Sequence, residues 1–375
     1  MKLFHISDLH IGLRLYETPI ADDQRYILNQ ILDLCVKEKP DGVIIAGDIY
    51  DRAVPSAEAV AIFDEFLTGL KNLGIYVFAI YGNHDSAERI AYGARIMAEN
   101  RIFLSPVYDG HIEPVILNDE YGEVRFYLLP FIKPAVARQF FNAEINSYDD
   151  AVRTAVSEMN IDASKRNIIV AHQFVTGAQT AMSEEHIVGG TENISADIFE
   201  EFDYAALGHI HRPQKIKSDF IRYSGTPLKY SFSECGDTKA VQVIDLSEKG
   251  TLNLSQIPLI PLREMREIRG TYAELTDLES YKNTNTTDYI HVTLTDEEDI
   301  PYALEKLRTI YKNILRLDYD NRRTRSTVEY IESAAAEQSP SELFAALYER
   351  QNGGKMSDEQ IKIIDEFIEK AREVE

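Results

Sequence analysis

A layered α/β/β/α sandwich, followed by a small α/β domain and a pair of C-terminal helices, is the architecture this sequence predicts. Three observations predict it. Short β-rich runs alternate with helical patterns over the first eighty residues; strands become denser and helices rarer after Arg101; and two prolines within four residues, Pro258 and Pro261, punctuate the chain before a further α/β stretch. With 375 residues, 44% of them hydrophobic and 27% charged, the chain exceeds one compact core and calls for a main domain with appendages.

The elements follow in order. Leu3–Ser7 is an apolar run that stops at Asp8, and Asp22–Lys39 carries apolar residues at helical spacing. Val43–Ala46 stops at Gly47-Asp48, Ser56–Asn72 is helical again, and Ile75–Tyr81 stops at Gly82-Asn83. This is βαβαβ, which implies a sheet with helices on its faces. Val124–Leu129, Ile168–Ala171, Ala205–Leu207, Ile221–Tyr223, Lys239–Leu246 and Leu252–Ile257 supply a second sheet packed on the first. The spacing divides the chain into a main domain over 1–262, a smaller α/β unit over 263–330 and a tail over 331–375. In the tail, Pro340 at an N1-like position precedes a helix over Glu342–Arg350, Gln351–Gly354 breaks it, and Ser357 caps a second over Asp358–Arg372.

Composition excludes several classes. No window holds eighteen consecutive apolar residues, and His5, Asp8 and His10 interrupt the short apolar N-terminus, so neither a membrane span nor a signal peptide is expected. Cys35 and Cys235 lie two hundred positions apart and suggest neither a disulfide framework nor a thiolate zinc site, which points to the cytoplasm. The formal charge of -23, from 39 basic and 62 acidic residues, opposes a polyanionic partner at long range. At physiological salt, however, the Debye length is about 8 Å, so local charge decides. Arg212–Lys229 holds Arg212, Lys215, Lys217, Arg222 and Lys229 against Asp219, and Lys306–Arg325 holds seven basic residues, Arg316, Arg322 and Arg323 among them, against Asp318 and Asp320. Each island is either part of a phosphate track or a solvated face that balances surrounding acids.

Chemistry concentrates in five clusters: Asp8-Leu9-His10, Gly47-Asp48-Ile49-Tyr50-Asp51-Arg52, Gly82-Asn83-His84-Asp85, Ala171-His172 and Gly208-His209-Ile210-His211. Five of the nine histidines fall in them, and nearly every cluster ends an expected strand, where α/β sheets present ligands. On an extended strand the side chains of Asp8 and His10, and of His209 and His211, project to one face and chelate one ion. Asp48, alone at its strand end, suits a bridge between two ions. Mixed imidazole, carboxylate and amide donors favour Mn²⁺, Fe²⁺ or Zn²⁺ over Ca²⁺. Two such ions about 3.5–4 Å apart serve displacement at phosphorus, which implies phosphoester hydrolysis. His84 follows a candidate ligand yet faces the other side of its turn, free to protonate a leaving 3′-oxygen, with Asp85 orienting its ring. Arg52 either pairs with Asp51 or contacts a substrate phosphate. His5, His111, His186 and His291 belong to no cluster and read as core or surface histidines.

The ordered pattern D-x-H, G-D, G-N-H, H, G-H-x-H resembles that of the calcineurin-like metallophosphoesterase superfamily. Within it, GDIYDRAVPSAEAV (47–60), SGTPLKYSFSE (224–234) and SPSELFAALYERQNGGKMSDEQ (339–360) are similar to bacterial nuclease subunits of DNA double-strand-break repair. The resemblance implies two divalent ions, Mn²⁺ by preference. It assigns Asp8, His10, Asp48 and His211 to one and Asp48, Asn83, His172 and His209 to the other, with His84 beside the leaving group. It further implies 3′–5′ exonuclease action on double-stranded DNA, endonuclease action on single strands, and work on ends and hairpins. The unit over 263–330 would cap the site and hold DNA. The tail would dock on an SMC-like ATPase with a long coiled coil, and the Ser56–Asn72 helix, with Arg89–Asn100, would form a homodimer. Two rivals stand beside this reading. One is a phosphatase or cyclic-nucleotide phosphodiesterase of the same superfamily, although the phosphatases' G-N-H-E is G-N-H-D here; the other is a scaffold with a vestigial metal site.

Overall fold

The computed structural model describes residues 1–180, 192–322 and scattered positions between 341 and 367. Most of the expected C-terminal helix pair, and Arg323 and Arg325, lie outside the described residues. The chain forms two compact units, Met1–Arg266 and Glu267–Glu375.

Two six-stranded sheets build the first unit. In one, Lys2–Ile6, Gly42–Ala46, Tyr76–Ile80 and Ile102–Leu104 run parallel, and Ala240–Leu246 and Leu252–Pro258 continue it antiparallel beside Lys2–Ile6. In the other, Gly122–Leu129, Arg166–His172, Tyr204–Gly208 and Ser218–Tyr223 run parallel. Hairpin partners, Val115–Asp119 and Gln214–Ile216, close its two edges. Leu3, Ile44, Ala46, Phe78 and Ile80 of the first sheet form one core with Phe126, Leu128, Ile168, Val170, Tyr204 and Ala206 of the second. The rings of Phe78 and Phe126 stack at 3.8 Å between centroids. Strands buried on both faces need apolar side chains at every position, and Gly42–Ala46 has all five residues buried.

Helices supply the outer layers. Ala21–Glu38 buries Ile27, Leu28, Ile31 and Cys35, and Ala57–Asn72, capped by the Ser56 hydroxyl, buries Ile62, Phe63, Phe66, Leu67 and Leu70. They pack on each other, and the second also packs on Tyr76–Ile80. Beyond the other sheet, the helix Tyr148–Ser157 sets Ala151, Val152, Ala155 and Val156 into a core shared with Tyr127, Leu129, Ile169 and Leu207. The stretch Arg89–Asn100, named above with the Ser56–Asn72 helix for a dimer face, is not one continuous element. Two short helical segments, Ala87–Ile90 and Ala94–Ala98, are separated at Gly93, whose φ of +74° redirects the chain between them. Among the described residues no helix is long and apolar enough to cross a membrane.

In the second unit, strands Met265–Gly270, Tyr289–Leu294 and Asn313–Tyr319 form one sheet, the first of them beginning just before the boundary. Ile290, Val292, Leu294 and Ile314 pack with Leu275, Leu307 and Tyr311 in its own core.

Candidate metal centre

The five clusters meet at one edge of the sandwich, though not by the strand geometry the sequence suggested. Lys2–Ile6 ends before Asp8, and Tyr204–Gly208 ends before His209. Asp8, His10, Asp48 and His209 all have positive φ, at 52°, 43°, 48° and 101°. Side chains on a continuing strand would point into the layers above and below; leaving the strand turns them toward the edge. Such conformations cost non-glycine residues on the order of 1–3 kcal/mol each, and their grouping here is the pattern of a functional site. Main-chain bonds hold the turns: Asp8 N–H donates to Gly47 O and His10 N–H to Asp48 O, both at 3.0 Å. Glycine is required where the sheets converge. A Cβ on Gly208 would lie 1.8 Å from Ala46 O, and one on Gly82 would lie 2.2 Å from Asp48 Oδ1.

The donor atoms gather in overlapping groups. Asp8, His10 and His211 form one, Asp48, His172 and His209 a second, and His10, Asp48 and His84 a third. His10 Nε2 lies 3.2 Å from His211 Nε2 and 3.7 Å from Asp48 Oδ2. On the other side, His172 Nε2 is 3.3 Å from Asp48 Oδ2, and Asn83 Oδ1 is 3.0 Å from His172 Nε2 and 2.9 Å from His209 Nδ1. Asp48 therefore lies between the two sets of imidazoles, and its Oδ1 also accepts the His84 N–H at 2.9 Å. All seven candidate ligands come together; Asn83 and the adjacent His84 are exposed, whereas Asp8, His10, Asp48, His172, His209 and His211 are buried.

The electrostatics suit divalent cations. Two carboxylates are sealed from water here, and burial, reinforced by Asp48, pushes Asp8 up to about 7. Burial pushes His10 down to about 4 and His209 to about 3, leaving neutral imidazoles with lone pairs to give. His172 goes the other way: burial lowers it, but Asp48, together with Asp8 and Ala46 O, more than offsets this and raises it to about 9, a proton that a bound cation would displace. His10 Nδ1 and His209 Nε2 are buried without a hydrogen-bond partner among the described residues. Imidazole nitrogens facing one another, as His10 Nε2 and His211 Nε2 do, with an amide oxygen and two buried carboxylates, are costly without a cation and natural with one.

Residues 1–213 match the family model described as calcineurin-like phosphoesterase, and residues 261–352 match that of the type 5 capsule protein repressor C-terminal domain, SbcD_C. The SbcD component of the SbcCD nuclease from Staphylococcus epidermidis is 36% identical over 322 residues, covering 84% of this chain and 85% of that one. The chain belongs to the SbcD family of calcineurin-like phosphoesterases. Solved structures with a similar trace include TT1561 of Thermus thermophilus, with 11% identity, TM-score 0.39 and coverage of 68% of this chain and 98% of that one. A dimetal phosphatase from Danio rerio has 12% identity, TM-score 0.38 and coverage of 69% and 96%.

Two expectations about the surroundings of this SbcD-family centre need correction, and a pair of alternatives is narrowed. His84 does not turn away from the ligands: its ring lies edge-on to that of His10, with centroids 4.9 Å apart. Asp85 does not orient that ring. Its buried carboxylate accepts the N–H groups of Ile49, Tyr50 and Gly82 at 2.9–3.0 Å, tying two ligand loops together, and His84 Nδ1 is held instead by Asp51 O at 2.9 Å. The first basic island is not an open positive track. Arg212 pairs with Asp237, Lys215 and Arg222 with Asp219, Lys217 with Glu200 and Lys229 with Glu264. Three of those four acids lie outside the island in sequence. Lys217 also sits in the turn six residues below Tyr223, which is level with Leu207, and so about 20 Å down the strand from the ligand end. In the second unit Arg316 pairs with Asp318, and Arg322, 92% exposed, is 3.8 Å from Glu297. Arg52 is 79% exposed with its Nε 3.3 Å from Asp51.

Proposed function

We propose that this chain is the nuclease component of an SbcCD-type complex, a cytoplasmic DNA exo- and endonuclease that hydrolyses phosphodiester bonds at ends and hairpins. The observation that carries the reading is the position of Asp48 between two sets of imidazoles. Asp8, His10, Asp48 and His211 would hold one divalent ion and Asp48, Asn83, His172 and His209 the other, with Mn²⁺ suited to these donors. Bound there, the ions make a nucleophile available at neutral pH and offset charge on the attacking and leaving oxygens.

The chain's own groups supply the rest. Because the Asp51 carbonyl can only accept, His84 Nδ1 carries a hydrogen, and Nε2 is the nitrogen through which the ring would give a proton to the leaving 3′-oxygen. Arg52, next to Asp51 in the chain, offers an exposed guanidinium to a neighbouring phosphate, while Lys215, Lys217, Arg222, Arg322 and Arg323 are further candidates for DNA contact. Those of them that are paired must exchange their present partners for phosphate. The unit over 263–330 would cap bound DNA, 331–375 would dock on an SbcC-type coiled-coil ATPase, and Val60, Tyr92 and Ile96, exposed at 46%, 82% and 71%, would contribute to a homodimer.

The test is hydrolysis of end-labelled duplex and hairpin DNA by the purified chain in Mn²⁺ and in EDTA. Mn²⁺-dependent release of nucleotides from duplex 3′ ends, with nicking of single strands, is the expected result. Hydrolysis of phosphomonoesters alone would replace it with a phosphatase, and inactivity on every ester would leave a scaffold.

A further inference from the structure

The segment 224–239 contains the SGTPLKYSFSE stretch and no metal ligand, yet it reaches every member of one ligand group, Asp8 by way of Ser7. Ser224 Oγ is 2.7 Å from Ser7 Oγ, which in turn donates to the Asp8 carboxylate. The Tyr230 hydroxyl donates to Leu9 O at 2.5 Å, on the residue between Asp8 and His10, and its ring stands edge-on to those of His10 and His211. His211 O accepts Lys239 Nζ at 2.8 Å and Thr226 N–H at 3.1 Å. Lys239 is held by Glu234 Oε2 at 2.6 Å, and Glu234 Oε1 faces His211 Nδ1 at 4.0 Å, on the ring edge opposite the one that meets His10. Ser7, Ser224, Thr226, Tyr230, Glu234 and Lys239 are all buried. The ligands Asn83 and His172 of the other group are held elsewhere, Asn83 by the imidazoles themselves and His172 by Ala46 O at 2.8 Å.

We propose that Tyr230 and the buried Glu234–Lys239 pair are positioning residues for one of the two metal ions, the one held by Asp8, His10 and His211. A buried ion pair contributes little net stability compared with an apolar pair of similar shape, so stability alone gives no reason for Glu234 and Lys239 to be charged. What the charges do supply is direction. The ammonium fixes the main chain of residue 211, and the carboxylate faces Nδ1, so that Nε2 is the nitrogen turned to the ligand group; such outer partners typically govern metal affinity by 10–100-fold. The left-handed turn at Asp8 and His10 needs a similar restraint, which the Tyr230 hydroxyl provides at Leu9.

This inference rests on the two-ion reading above, and its test separates the two. Mn²⁺ is titrated into the full chain, into Tyr230→Phe and into Glu234→Gln/Lys239→Met, which keeps the pair's volume without its charge. Binding is followed by electron paramagnetic resonance and calorimetry, with melting of the metal-free proteins as control. The wild type takes up two ions; in each variant one ion binds as in the wild type and the other at least 10-fold more weakly. Two ions bound with wild-type affinity by both variants would overturn the assignment, as would equal weakening of both ions. A wild type that binds fewer than two ions would overturn the two-ion reading itself and the inference with it. If the double variant does not fold, Tyr230→Phe, which loses only a hydroxyl, decides.

Discussion

On the reading proposed above His84 protonates the leaving group, and its geometry makes a prediction about that step. Its Nδ1 is committed to the Asp51 carbonyl, so only Nε2 is available to protonate an oxygen. His84→Ala should retain both Mn²⁺ ions by calorimetry and lose about 10²–10⁴-fold in kcat on DNA, the usual contribution of a general acid. On a p-nitrophenyl phosphodiester, whose leaving group departs without a proton, the same variant should lose far less. A defect of equal size on both substrates would show that His84 acts on something other than the leaving oxygen. Gly208 sets a second limit at this scale. Its missing Cβ would collide with main-chain Ala46 O at 1.8 Å, which cannot move without displacing the strand ahead of Asp48. Gly208→Ala should therefore lose Mn²⁺ binding and melt several degrees lower, with both changes visible in one calorimetric series.

At the scale of elements, what was legible in the sequence depended on how local the deciding physics is. Buried parallel strands such as Gly42–Ala46 and Arg166–His172 write themselves as apolar runs ending at Gly-Asp or His, so their place and their polar ends could be read directly. The edge strands Val115–Asp119 and Gln214–Ile216 are short and partly exposed and leave no such run. The seven candidate ligands could be named from their motifs, but their left-handed turns could not, because a D-x-H fits a strand equally well. Charge left two readings open for a similar reason: Glu200, Asp237 and Glu264 neutralise the first basic island from elsewhere in the chain. Arg166 was also invisible. Only 2% exposed, it donates both ends of its guanidinium to Asp119 and further bonds to Gly122 O and Ser247 O, joining the edge strand to the sheet. Burial alone would raise the Asp119 carboxyl, but Arg166, Tyr121 N–H and the Met1 ammonium hold it down at about 2. A folded pKa below the unfolded value of about 3.9 gives stability that is present above that value and fades as pH falls toward 2. Asp119→Ala, which strands a buried guanidinium, should cost about 3 kcal/mol at pH 7 in urea unfolding, and the gap between variant and wild type should narrow between about pH 4 and pH 2.

For the whole molecule the question is how a chain of formal charge -23 engages a polyanion. The five basic side chains of the first island are already paired, so DNA binding would gain little from a broad positive field there. Phosphates would instead meet a small number of groups: the bound cations, the exposed guanidinium of Arg52, and whatever the second unit contributes. Each phosphate neutralised by a side chain adds close to 0.9 to the slope of log affinity against log salt. Duplex binding by His84→Ala, which removes cleavage from the measurement, should therefore show a shallow slope of about 2–4 in magnitude at fixed Mn²⁺. Arg52→Ala on that background should lower the slope by about one and weaken all sequences alike, as expected for a contact that positions DNA rather than reads it. An unchanged slope would return Arg52 to its local pairing with Asp51. A slope near ten for His84→Ala would show that many cations face DNA at once, which the ion pairs of this surface can supply only by giving up their acidic partners.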